Sequence, residues 1–222
     1  MSNKLSSFPK AVIFDFDGVL VDTEWAIYQS WVWVFDGEGV PLPLDLFNQC
    51  LGSGYTHWNP GDYLEKITGK KYDWESINNA RQERIYADLS QAGLMPGAID
   101  LLDYCSNLHL PLAVASSSSH RWVDGWLQKL GIADRFVSVL CRDDGLPVKP
   151  DPALYLETLK RLQLPATSCL VIEDSQNGTL AAAHAGIPVI AISNRVTENA
   201  DFSPATLRLS CLKDVISTLE AL

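Results

Sequence analysis

The chain has 222 residues, 47% of them apolar, enough for one full core carrying an insertion rather than for two independent domains. Its 27 acidic residues outnumber the 17 basic ones and leave a net charge of −10, which argues against nucleic-acid and anionic-membrane partners, because both need an excess of Lys and Arg. The expected partner is a small molecule, and an anionic one must meet locally positive groups. The five cysteines, at 50, 105, 141, 169 and 211, form no CxxC pair, so they read as small buried hydrophobes rather than zinc ligands or disulfides. No stretch reaches about eighteen consecutive apolar residues, and "MSNKLSSFPK" leads straight into a strand. A cytoplasmic location and a monomer are the default expectations; no long amphipathic seam presents itself from which an oligomeric state could be read.

The first apolar run, "AVIF" (11–14), suits a strand buried on both faces, and it ends in "DFDG". Residues two apart in an extended chain point the same way, so Asp15 and Asp17 face one site while Phe16 turns into the core and Gly18 permits a sharp exit. Two carboxylates about 4 Å apart repel by roughly 4 kcal/mol at an effective dielectric near 20, so they persist together beside a proton or a cation. Oxygen-only ligands favour Mg2+. An EF-hand starting at Asp15 would need Gly at its sixth position and Glu at its twelfth, where this chain has Leu20 and Ala26. Taken alone, the pair also fits an acidic turn after a strand.

About a hundred residues then pass before the next strand, far more than one crossover needs. Residues 64–89 read mostly as helix, and five of the seven tryptophans (Trp25, Trp31, Trp33, Trp58 and Trp74) fall in this interval. The division expected is a small all-α cap over residues 24–94, with residues 1–23 and 95–222 forming the core. Most of these tryptophans should fill the cap's own core. Trp25, Trp31 and Trp58, with His57, are the candidates for facing the substrate cleft.

After the cap, "PLAVA" (111–115) ends at Ser116, whose hydroxyl, with the backbone N–H of Ser117 at a helix start, could hold a phosphate or simply cap the helix. Trp122, Trp126, Leu127 and Leu130 give 118–130 a helical period closed by Gly131. A strand at "FVSVL" (136–140) follows. Pro150 discourages helix at Lys149 and keeps it on a loop, as a counter-charge or an ordinary surface lysine. In 152–163, Tyr155, Leu156, Leu159 and Leu162 recur at helical spacing, with Asp151 as N-cap and Pro152 at the first position. "CLVIE" (169–173) ends in Glu173 and Asp174, which read alone as a solvated cap of the helix in 175–186 and, together with Asp15 and Asp17, as a metal cage. "PVIAI" (188–192) is the last strand read. The alternation of strand and helix predicts a parallel α/β sheet with its ligand at the carboxyl ends of the strands.

In this order, "DFDGVLVDTE", "VASSS", "VKPDPALY" and "VIEDSQNG" resemble the four motifs of the haloacid dehalogenase superfamily, most closely its β-phosphoglucomutase-like phosphatase branch, over residues 11 to about 195. The resemblance implies a Rossmann-like core with a helical cap inserted after the first strand, and a Mg2+-dependent phosphatase acting on a small phosphate ester such as a sugar phosphate. It implies Asp15 as nucleophile and Asp17 as acid/base. Ser116, Ser117 and Lys149 would hold phosphate, and Asp15, Asp17, Glu173 and Asp174 the metal. The superfamily's dehalogenases lack the second aspartate, so Asp17 argues against that chemistry. Its phosphonate hydrolases use a cap lysine, and Lys66, Lys70 and Lys71 lie on what reads as an ordinary polar helix and turn. The mutases place a histidine where this chain has Ile27, and a cap arginine in a loop corresponding to "LGSGYTHWNP" (51–60), which has none. Both departures favour release of phosphate to water. A non-catalytic binding module would be expected to lose a motif residue, and none is lost.

Overall fold

The computed structural model describes Leu5 and residues 7–222. Its framework is a parallel sheet formed by β1 (Ala11–Phe14), β2 (Leu112–Ala115), β3 (Ser138–Leu140), β4 (Cys169–Glu173), β5 (Val189–Ile192) and β6 (Leu207–Leu209), in the order β3-β2-β1-β4-β5-β6. β1, β2, β4 and β5 are buried along their whole length, as their unbroken apolar runs require. The alternation of side chains splits them between two clusters. Val12 and Phe14 enter one with Val114, Leu170 and Ile172; Ala11 and Ile13 enter the other with Ala113, Val171 and Val189.

Nine α-helices are described: α1 (Glu24–Asp36), α2 (Leu44–Phe47), α3 (Pro60–Thr68), α4 (Trp74–Asp88), α5 (Ala98–Asn107), α6 (His120–Lys129), α7 (Ala153–Leu162), α8 (Gln176–His184) and α9 (Lys213–Glu220). Leu101 and Leu102 of α5, Val123 and Leu127 of α6 and Val215 and Leu219 of α9 cover one face of the sheet. Leu154, Tyr155 and Leu159 of α7 with Ala181 and Ala182 of α8 cover the other. α7 starts one residue later than its sequence suggests, with Pro152 before the first helical residue and the Asp151 carboxylate accepting from the Ala153 N–H at 2.9 Å. Leu156 of its apolar repeat is 48% exposed, so the buried stripe is narrower than the spacing implies.

Helices α1, α2 and α3 and the start of α4 gather around a third cluster of their own, with Trp31, Phe35, Phe47 and Leu64 at its centre and Val196 reaching in from the loop after β5. At the two edges of the interval 24–94, Val21 and Leu94 bridge in antiparallel fashion. Among the described residues, no helix is long and apolar enough to cross a membrane. Cys50, Cys105, Cys141 and Cys169 are buried free thiols and Cys211 is half-buried. Burial raises the pKa of the first four, in keeping with a packing role.

Candidate active site

The strand order turns outward in both directions from the β1–β4 pair, so the crevice at their carboxyl ends is the switch point of the sheet. Asp15 follows β1, held in the ladder by its N–H on the Ile172 carbonyl at 2.9 Å, and Glu173 and Asp174 end β4. One carboxylate oxygen from each of Asp15, Glu173 and Asp174 lies within 4.8 Å of the others, and all three residues are buried. The close approach is possible because residue 18 is glycine at φ 73°: a Cβ there would stand 2.0 Å from Asp174 Oδ2.

Lys149, fully buried, reaches into this cluster from the loop after β3. Its Nζ donates to Asp15 Oδ1 at 2.5 Å and to Glu173 Oε1 at 2.6 Å. Glu173 also accepts from the Tyr155 hydroxyl at 2.8 Å on Oε1, and on Oε2 from the N–H groups of Asp174 and Ser175 and the Ser175 hydroxyl. Asn194 donates to Asp174 Oδ2 at 2.7 Å. Ser116 and Ser117 line the same cleft; the Ser116 hydroxyl accepts from the Ser118 N–H at 3.0 Å and the Ser117 hydroxyl from the Lys149 N–H at 3.3 Å.

Five buried carboxyl groups, those of Asp15, Asp17, Glu24, Glu173 and Asp174, face one buried lysine. Burial pushes Asp15 up to about 8, with the Glu173 and Asp17 charges adding to it against the pull of Lys149. Burial, followed by the neighbouring Glu24, Glu173 and Asp15 carboxylates, holds Asp174 well above the usual range, and burial beside Asp17 and Asp15 does the same for Glu24. Lys149 rises above its ordinary value: burial opposes its charge, and Asp15 and Glu173 outweigh that opposition. An excess of desolvated carboxylates at this spacing, with oxygen donors alone, fits a hard divalent cation.

The placement differs from the sequence expectation at five residues. Asp17 shares the cleft with Asp15, but its carboxylate is turned to other donors: Oδ1 accepts from the Thr23 hydroxyl at 2.6 Å and the Trp122 indole at 2.8 Å, and Oδ2 from the Ser118 hydroxyl at 2.5 Å. The close carboxylate group is thus Asp15, Glu173 and Asp174. Trp31 does not line the cleft; it is 3% exposed in the helical core, because its large apolar ring is better satisfied by packing than by water. Trp58 packs against Tyr63 with ring centroids 5.7 Å apart, and His57 is exposed and lines no part of the cleft. Trp25 borders a separate cavity of about 770 Å³ beside residues 92–96, under the guanidinium of Arg195 at 4.3 Å.

The cleft over Asp15 has a volume of about 130 Å³ and is roofed by Ile27, Phe47, Leu51, Gly52 and Tyr55 from the helical body. Glu24, Tyr55, Ser118, Trp122, Tyr155 and Asn194 belong to the site or its immediate support and were not singled out from sequence. Glu24, Ser118 and Tyr155 sit inside "DFDGVLVDTE", "VASSS" and "VKPDPALY", and Asn194 lies just past the strand "PVIAI", so these four carried a positional signal; Tyr55 and Trp122 are brought in by tertiary folding alone.

Comparison with known proteins bears on the fold and the family. The crystal structure of CbbY from Rhodobacter sphaeroides in complex with phosphate superposes with a TM-score of 0.73 at 23% identity, covering 96% of this chain and 99% of that one, which speaks to the fold. The Bacillus subtilis protein YhcW is 35% identical over 206 residues, 93% of each chain. The phosphorylated carbohydrates phosphatase of Thermotoga maritima is 31% identical over 180 residues, 80% of this chain and 82% of that protein. The haloacid dehalogenase-like hydrolase profile matches residues 12–192, and with these relatives it establishes that the chain belongs to that family.

Proposed function

We propose that this phosphatase hydrolyses a small phosphate monoester, a phosphorylated sugar or similar metabolite, through a phosphoryl group carried on Asp15, with Mg2+ as cofactor. The observation that carries the reading is the convergence of Asp15, Glu173, Asp174 and Lys149 in one buried cluster at the switch point of the sheet. In the first step an Asp15 carboxylate oxygen bonds to phosphorus while the ester P–O bond breaks, and Asp17 gives a proton to the departing alkoxide. Water then attacks the same phosphorus, Asp17 takes its proton, and the Asp15–phosphorus bond breaks to release phosphate. Lys149, beside Asp15, supplies fixed positive charge for the phosphoryl oxygens, and Ser116 and Ser117 hold them.

Asp15 and Asp174 are the residues that would hold Mg2+, with Glu173 beside them. The bound ion would neutralise part of the carboxylate charge so that a phosphate can enter. The helices of residues 24–94 act as the cap that excludes water from the cleft. Ile27 lining that cleft supports hydrolysis over mutase chemistry, since the mutases of the branch use a histidine there. The test is phosphate release from a panel of phosphate esters with Mg2+, repeated with EDTA and with Asp15→Asn. The expectation is metal-dependent turnover that falls by at least about a thousandfold in the variant. Turnover that survives in Asp15→Asn, or proceeds equally in EDTA, overturns the reading.

A further inference from the structure

The two carboxylate oxygens of Asp17 are held by donors of different kinds. The Trp122 indole N–H, from α6, donates to Oδ1 at 2.8 Å, and the Thr23 hydroxyl donates to the same oxygen at 2.6 Å. Among the described residues, Oδ2 has one hydrogen-bond partner, the Ser118 hydroxyl at 2.5 Å. An indole N–H only donates, whereas a hydroxyl donates or accepts as its neighbour requires. A carboxylate oxygen offers two lone-pair sites, and both of those on Oδ1 are taken. A proton on Asp17 therefore belongs on Oδ2, whose hydroxyl partner can turn from donor to acceptor. The cleft is arranged to match: Ser118 lines it beside Asp15 and Asp17, while Thr23 and Trp122 do not. Oδ2 is thus the oxygen on the substrate side.

The ring that fills Oδ1 is braced from two sides. Tyr86 of α4 lies against it with ring centroids 5.8 Å apart, and Trp126, one turn further along α6, meets it edge-on at 5.9 Å and 72°. Lys129 covers the Trp126 ring at 4.2 Å and donates to the carbonyls of Leu89 and Ser90, just past the end of α4, at 3.4 and 3.3 Å. α4 and α6 are therefore fastened at two levels, and Trp122 stands where the first level meets the site. The packing between Tyr86 and Trp126 asks only for an aromatic ring; the bond to Asp17 asks for the indole nitrogen.

We propose, on the hydrolase reading above, that Trp122 is a positioning residue for proton transfer: by occupying Oδ1 it makes Oδ2 the oxygen of Asp17 that exchanges protons with the reacting groups. In the first step the Asp15 oxygen bonds to phosphorus, the electron pair of the breaking P–O bond passes to the ester oxygen, and that oxygen takes the Oδ2 proton. In the second, the attacking water gives a proton to Oδ2 as its oxygen bonds to phosphorus and the bond to Asp15 breaks. Without the indole N–H a lone-pair site opens on Oδ1, and the proton is divided between an oxygen at the cleft and one turned away from it.

The test separates proton transfer from packing by changing the leaving group. Benzyl phosphate expels an alkoxide that must be protonated as it departs, whereas 2,4-dinitrophenyl phosphate expels a stable phenolate that needs no proton. With Mg2+, Trp122→Phe is expected to lose about 30-fold in kcat/KM on the benzyl ester and no more than about threefold on the dinitrophenyl ester. Asp17→Asn should show the same ordering with a larger loss. An equal loss on both esters marks a purely structural role and overturns the proposal, as does an unchanged kcat/KM on benzyl phosphate in a folded Trp122→Phe protein. Should the Phe variant fail to fold, benzothienylalanine at position 122, which keeps the two fused rings and puts sulfur in place of N–H, is held to the same expectations. If the wild type turns over neither ester, NMR of 15N-tryptophan-labelled protein judges Trp122: its indole N–H resonance should move upfield in Asp17→Ala, and a resonance that stays in place refutes the proposal. That readout stands apart from the hydrolase reading, which falls only when the whole panel of phosphate esters is inert.

Discussion

Replacing Lys149 with methionine keeps most of the buried stem and removes only the charge. In the folded protein the ammonium is fully buried, 2.5 Å from Asp15 and 2.6 Å from Glu173, with the Tyr155 ring 4.9 Å from Nζ. Without it, two facing carboxylates lose the cation between them. Breaking a buried pair from one side costs about 3–5 kcal/mol, and the lower end applies because Glu173 keeps its bonds from Tyr155, Ser175 and the Asp174 N–H. For a chain of this size about 3 kcal/mol corresponds to a fall of about 6–12 °C in Tm. Adding Glu173→Gln removes one of the stranded charges and should return about 1–2 kcal/mol, a coupling that a double-mutant cycle isolates. Urea titrations of the four proteins in EDTA, followed by tryptophan fluorescence, measure these differences. A Lys149→Met protein within about 0.5 kcal/mol of wild type, or a double variant no more stable than the single one, refutes the reasoning.

Gly178 in α8 lies so close to Glu173 that a Cβ would stand 1.8 Å from Oε1 and 2.1 Å from Cδ. Alanine in a helix ordinarily stabilises by about 1 kcal/mol relative to glycine, so a Gly178→Ala variant that is instead destabilised by about 2 kcal/mol, with turnover reduced at least about tenfold, reports displacement of that carboxylate. Ordinary stability and ordinary kcat/KM in that variant contradict it. His120 is 3.0 Å from Asp124 and 2.9 Å from Asp144. Burial opposes its charge, but the bonds to Asp144 and Asp124 prevail and raise its pKa above 6.5. Its stabilisation is therefore complete below the unfolded-state value and disappears as pH rises through the folded-state one. His120→Gln should cost about 0.5 kcal/mol at about pH 5.5, the screened worth of a part-exposed pair, and nothing at about pH 9. An equal deficit at both pH values in urea melts refutes this.

Much of the core was legible because each buried strand is an unbroken apolar run, and each run stops at a residue whose chemistry differs from it: Asp15, Ser116 and Glu173 with Asp174. β6 escaped because it has three residues, sits at the sheet edge and is broken by exposed Arg208, leaving no buried run to detect. The interval 24–94 was legible as helix but not as a surface. Its tryptophans and tyrosines outnumber what a cleft could use, and composition does not tell a ring packed inward, like Trp31, from one at the wall, like Tyr55. Arg81 shows the same limit. Within "SINNARQERIY" it looks like one more polar helical residue, and only the turn of α4 against α1 buries it. The donors on Asp17 were hidden for a related reason, since Ser118 and Trp122 lie 101 and 105 residues away along the chain.

The claim on which the account rests is that Asp15 carries the phosphoryl group between the two half-reactions. Wild-type protein mixed with a phosphate monoester and Mg2+, quenched in acid and then reduced with borohydride, tests it, because an acyl phosphate is reduced where a free carboxylate is not. Peptide mass analysis should find homoserine in place of aspartate at residue 15 only in samples that received substrate. Phosphate release without any conversion of Asp15, or conversion at Asp17 or Asp174 instead, would contradict the account.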